Sequence, residues 1–232
     1  MVPLTFLSAL LVMLFGAVGC TLIGAVSRRN VAAVVNTLFS LLLAGVTLPF
    51  AVGTPLPWIG TVIAPELTIW VTVAGLLHSI GMLGPYDSVW WWDHLTHTVS
   101  AALVAALAYA GFLAAFGDVR IAAIPLTIGY VMLAGVFWEL IELLARIVGK
   151  RYGIEPVLVQ YGPRDAILDL VFDLVGALLV VTLEVDVFRE LAGHAPATAG
   201  SLLYYSAVMM VMGSALLVVI LGLLPEHETW GR

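Results

Sequence analysis

The sequence predicts an all-α, polytopic transmembrane helical bundle of about seven spans, and three observations carry that expectation. Of its 232 residues, 62% are hydrophobic and only 10% charged, against roughly 45–50% and 25% in a soluble domain. The mean hydropathy is +1.10, which leaves too little polar surface to cover a water-facing body of this size. The apolar residues also fall into runs long enough, at about 20 residues and 1.5 Å of rise each, to cross roughly 30 Å of hydrocarbon. Helices satisfy every backbone hydrogen bond within such a run, as lipid demands.

The first run, Leu4 to Val26, ends at Arg28 and Arg29. It lacks a basic leader and an Ala-x-Ala cleavage site, so it reads as a retained helix and not a signal peptide. Val31 to Val52 follows, then Ile59 to Met82, with Glu66 near its outer end. The fourth run, Trp91 to Phe116, enters behind Trp90, Trp91 and Trp92, an interfacial aromatic anchor. Ile121 to Val148 is the fifth, Asp165 to Glu184 the sixth and Ser201 to Leu224 the seventh. All seven form one integral membrane domain over 1–232. The connection over 149–164, with Pro156 and Pro163, is long enough to fold over a site. Gly176 and the Gly213–Ser214 pair suit close helix approach. Met209, Met210 and Met212 read as lipid-facing or packing residues. Cys20 stands alone, which excludes an intramolecular disulfide and a Cys-rich metal knuckle.

Bases set the orientation. With the N-terminus outside, Arg28, Arg29, Arg146, Lys150, Arg151, Arg164 and Arg232 lie on the cytoplasmic side and only Arg120 and Arg189 outside. The expected topology is therefore N-out and C-in, for a multi-pass protein of the cell membrane. Fifteen acids against nine bases, with no polybasic patch, exclude a nucleic-acid partner.

This orientation gathers the ionisable residues at one depth. The third and fifth spans end on the cytoplasmic side, and the fourth and sixth begin there. His78, Asp93, His94, His97, Glu139, Glu142, Asp165, Asp169 and Asp173 all fall in the cytoplasmic leaflet or at its boundary. Asp93 and His97 are four apart, Glu139 and Glu142 three apart, and Asp165, Asp169 and Asp173 run at intervals of four, so each set lines one helix face. A carboxylate at the centre of a span costs about 2.5–3.5 kcal/mol, so the group needs protons, bases or a metal. Oxygen ligands with imidazole suit Mg, Mn, Zn or Fe, and helical bundles build carboxylate metal sites from such inward pairs. Asp93, His97, Glu139, Asp169 and Asp173 are the candidate metal ligands.

The other polar residues admit simpler readings. Arg146, one turn after Glu142, and Arg164, beside Asp165, suggest ion pairs for those two acids. His94 sits either at headgroup level or in the cluster, and His78 either bonds between helices or joins the ligands. His194 and His227 lie in solvated segments.

The segments Trp92-Asp93-His94-Leu95-Thr96-His97, Phe137-Trp138-Glu139-Leu140-Ile141-Glu142 and Gln160-Tyr161-Gly162-Pro163-Arg164-Asp165, continuing through Asp169, Asp173 and Gly176, resemble the YjdF-like family of membrane proteins. That family shows an Asp-x-x-x-His helix, a Glu-x-x-Glu helix and a Gly-x-x-Asp-x-x-x-Asp helix ending in Gly. The resemblance covers about Leu77 to Val180. It implies a shared polar site at Asp93, His97, Glu139, Glu142, Asp165, Asp169 and Asp173, with no reaction attached. A more distant similarity is to VanZ-like proteins, with Asp-x-x-His, a Glu and a later Asp before Gly. This chain departs from that pattern in its Asp-to-His spacing, its second Glu and its additional spans, so the glycopeptide resistance associated with those proteins is not carried over.

Three functions compete. In the first, a metal-dependent lipid hydrolase or transferase uses divalent ions to polarise a phosphoryl or acyl oxygen of a membrane lipid. Glu142 would then be the catalytic base, and Arg151 and Arg164 would hold the phosphate or headgroup. The Asp-Gly-x-x-Ala-Arg signature expected of CDP-alcohol phosphotransferases and the His boxes expected of membrane desaturases are missing. In the second, the same acids carry a cation or protons across the membrane. That reading expects a polar path into the outer leaflet, where the sequence offers little beyond Thr47, Glu66, Thr68 and Thr72. In the third, the cluster only fixes helix packing.

Overall fold

The computed structural model describes residues 4–54, 64–154, 156–158 and 160–223. Among them are nine helices and no strand: α1 (Leu4–Ser27), α2 (Val31–Val52), α3 (Pro65–Gly81), α4 (Pro85–Ser88), α5 (Trp92–Ala115), α6 (Arg120–Tyr152), α7 (Pro163–Thr182), α8 (Arg189–His194) and α9 (Pro196–Gly222). The chain is an all-α multi-pass membrane protein. Five helices, α1, α2, α5, α6 and α9, are long and apolar enough to cross a membrane. α3 has 17 described residues, and α7 carries Arg164 and three Asp within 20 residues.

The ends follow local chemistry. Asn30 caps α2, its side chain accepting from the Ala33 N–H at 2.8 Å. Pro opens α3, α7 and α9, where its missing N–H is not needed. Gly53 and Gly153 close α2 and α6 in the left-handed conformation. α6 continues past Val148 to Tyr152 and Pro163 already belongs to α7, so the connection between the two helices is shorter than 149–164 and runs over 153–162. The short helices α4 and α8 had no counterpart in the hydropathy pattern. The stretch 59–63 of the third run, Leu224, His227 and Arg232 lie outside the described residues.

Helix packing divides the bundle into two groups. α1, α2 and α3 pack on one another, and α5, α6 and α7 pack on one another with α9 against α5 and α6; α3 against α5 joins the two. Three side chains pin that junction. The Trp70 indole donates to Val99 O at 3.1 Å, the Trp92 indole to Leu77 O at 3.1 Å, and His78 Nε2 meets Ser100 Oγ at 3.2 Å. At the end away from the acids, Arg120 pairs with Glu184, and Arg189 with Asp118 at 2.6 Å. α9 is peripheral, with Leu221 its one buried residue, and Met209 and Met212 are exposed on it. Cys20 is exposed on α1.

Candidate metal centre

The centre is built on the contact of α5 with α7, which run parallel. On α5 the positions Asp93, His97, Ala101 and Ala105 repeat every four residues, as do Asp169, Asp173, Ala177 and Val181 on α7, so each set forms one stripe. Beyond the polar residues the stripes are small and buried, and the helices close up. A Cβ at Gly176 would lie 2.6 Å from Thr98 O and 2.9 Å from Ala102 N, so glycine is what permits this approach. The same contact sets His97 against Asp173, with Nδ1 to Oδ1 at 3.1 Å.

His97 is the hub. Its Nε2 lies 3.8 Å from Asp93 Oδ1 and 3.9 Å from Asp169 Oδ1. Donor atoms of Asp93, His97 and Asp169 lie within 4.8 Å of one another, and so do those of His97, Glu139 and Glu142. The structure therefore brings the other four expected ligands and Glu142 around the His97 imidazole. His97, Glu139, Glu142, Asp169 and Asp173 are buried, and Asp93 is half-buried.

Two features of α6 that sequence reasoning missed shape its side of the centre. Gly135 makes room for Asp173, since a Cβ there would stand 2.4 Å from Oδ2. Trp138, one turn before Glu142, donates its indole N–H to Oε1 at 2.7 Å. The i, i+4 spacing of Trp138 and Glu142 carried that signal. Trp138→Phe keeps the ring and removes the donor, leaving a buried carboxylate oxygen without its bond. The expected cost is about 1–3 kcal/mol, read as a lower thermal midpoint in detergent. An unchanged midpoint would show that Glu142 does not depend on this bond.

The remaining candidates divide. His94 joins the rim: its ring stacks on Phe172 at 4.3 Å, and its Nδ1 is 3.7 Å from Asp169 Oδ1. His78 bonds between helices, held by Tyr86 Oη on Nδ1 at 2.6 Å and by Ser100 on Nε2. Both ring nitrogens of His78 are thus engaged, and burial pushes the Tyr86 hydroxyl well above its usual range, which keeps it protonated. The expected ion pairs of Glu142 and Asp165 are not made. Arg146 turns to Gln160 Oε1 at 3.3 Å while Glu142 takes the indole, and Asp165 Oδ2 accepts the Tyr161 N–H at 3.0 Å. Arg164 and Arg151 are exposed at the near ends of α7 and α6. Glu66 is exposed in the first turn of α3. The hydroxyls of Thr68 and Thr72 donate to backbone carbonyls, at 2.7 and 2.6 Å.

The charge balance decides what the centre can do. Asp93, Glu139, Glu142, Asp169 and Asp173 supply five carboxyl groups against the two imidazoles of His94 and His97, so the cluster needs protons or a cation beyond the two histidines to be neutral. Both oxygens of Glu139 and Oδ1 of Asp169 are buried without a hydrogen-bond partner. Buried polar atoms are ordinarily bonded, and a cation at either donor set would engage some of these atoms, Asp169 in the one and Glu139 in the other. The buried His, Asp and Glu groups could hold a metal ion.

A family model described as a predicted membrane protein (DUF2238) matches residues 6–190. The chain belongs to this family. No curated protein and no solved structure matches it. The DUF2238 match takes in every residue of the cluster and ends before α9, the long helix whose one buried residue is Leu221.

Proposed function

We propose that this DUF2238 protein is a metal-dependent protein of the cell membrane that binds or acts on a lipid headgroup or lipid phosphate at the cytoplasmic face. In this reading α3 and α7 also cross the membrane, giving seven spans with the N-terminus outside and the C-terminus inside, as the distribution of Arg supports. The observation that carries the reading is the hub at His97, where two sets of donor atoms each lie within 4.8 Å and three buried carboxylate oxygens lack a hydrogen-bond partner. Asp93, His97, Glu139, Asp169 and Asp173 are the ligands. The YjdF-like resemblance agrees with these positions, and the VanZ-like similarity contributes nothing to them.

The ion would supply Lewis acidity toward a phosphoryl or acyl oxygen. Glu142, one of whose oxygens is held by Trp138, would take a proton on the other as the general base. Arg164 and Arg151, exposed beside the centre, would meet a headgroup phosphate. The test is elemental analysis of protein purified in detergent without chelator, beside the double variant Asp169→Asn/Asp173→Asn. Stoichiometric metal, lost in a variant that still folds, is the expected result. Folded wild-type protein without metal would overturn the reading in favour of proton-coupled transport or a packing role.

A further inference from the structure

A cavity of about 590 Å³ adjoins the centre, within the roughly 300–1,000 Å³ of small-molecule sites. It lies between the two helix groups. α2 packs on α1 and α3, and α6 on α5, α7 and α9, yet both α2 and α6 line the cavity. On α2 the lining runs from Val35 to Leu43, about 12 Å at 1.5 Å per residue. Its polar wall is His78, His97, Ser100 and Asp173, and its deep end is Leu43, Val71, Val104 and Val131.

The opening faces sideways. Val157 and Leu158 of the connection between α6 and α7 line the cavity at the end near the acids, and Asn36 Nδ2 holds Val157 O at 3.4 Å. Val35, Phe39 and Leu43 are cavity-lining and also 45%, 55% and 42% exposed. In a bilayer these surfaces touch hydrocarbon. A ligand entering past them comes from the lipid phase, and its polar end meets His97 and Asp173 only if its apolar end points toward Leu43 and Val131.

We infer that this cavity is the chain-binding half of the site, holding one aliphatic chain of a membrane amphiphile whose phosphate or other oxygen-bearing head rests on the centre. The inference takes from the proposed function that the ligand is a lipid, and adds which part of the lipid is recognised and by which helices. Contact with the chain, and not the head alone, then sets specificity. Ala134 on α6 and Val104 on α5 are the positions from which a larger side chain would shorten the space available.

The experiment uses a hexadecyl phosphate with a diazirine in its chain, photolysed with the detergent-purified protein and mapped by mass spectrometry, beside the corresponding hexadecanol. Labelling is expected on peptides carrying Val35, Phe39, Val104 or Ala134, and unlabelled hexadecyl phosphate should compete it away. Ala134→Phe and Val104→Phe should each reduce it at least about tenfold, the equivalent of two methylenes of lost contact, with metal content unchanged. Val211→Phe, on the exposed surface of α9, should label as wild type does. Label spread over α9 and other outward faces, without competition, would overturn the inference even if the protein holds metal. Competed cavity labelling by hexadecanol in a protein without metal would sustain the chain site and sink the metal reading, so the two failures are distinguishable. Competition in the wild type keeps the test decisive if either filled variant fails to fold.

Discussion

Gly176→Ala is expected to destabilise the bundle by about 1–3 kcal/mol, and Gly176→Val by more, because the added atoms meet backbone. Overpacking in a close-packed interior costs about that much when side chains can move aside. Here the neighbours are Thr98 O at 2.6 Å and Ala102 N at 2.9 Å, both fixed in the α5 ladder. Relief requires α5 and α7 to separate, which would pull His97 from Asp173. Gly129→Ala is the control on α6: its Cβ would meet nothing within 4 Å, and Ala is the better helix former by about 1 kcal/mol. Thermal midpoints in one detergent would compare the three variants. A wild-type midpoint for Gly176→Ala would show that this helix contact is looser than described.

His97→Ala is expected to weaken divalent-metal binding at least about a hundredfold, the upper range for losing even an indirect supporting partner. Loss of one carboxylate is expected to do less. His97 is the residue common to both sets of donor atoms, whereas Asp93 and Asp169 belong to one and Glu139 and Glu142 to the other. His94→Ala is the informative comparison, because His94 approaches only the rim at Asp169 and is held by Phe172. Titration against a chelating indicator dye would rank the variants. Equal losses in the two histidine variants would remove His97 from its central place.

Much of this arrangement was legible before any coordinates. Long apolar runs can be satisfied in lipid only as helices, so the hydropathy pattern located the long helices to within a few residues. The four-residue spacing of Asp93 with His97, and of Asp169 with Asp173, put each pair on one face, and the small residues that continue each stripe allowed those faces to meet. What was hidden depends on contacts between helices far apart in sequence. Gly135 has no side chain to announce a role, and its use is apparent only opposite Asp173. Tyr86 lies on a four-residue helix that no periodicity marks, yet it fixes His78. The ion pairs read from Arg146 and Arg164 are not formed because spacing along a helix does not choose between partners: Trp138 and Arg146 both lie four residues from Glu142, and the indole takes the carboxylate while Arg146 turns to Gln160.

The two-group packing separates stiffness from access. Every carboxylate and imidazole of the hub sits on α5, α6 or α7, helices clasped to one another, while α2 supplies the opposite lip of the cavity from a unit attached chiefly through α3. Side-chain changes on α2 would therefore reshape the lateral entrance without touching a donor atom at His97.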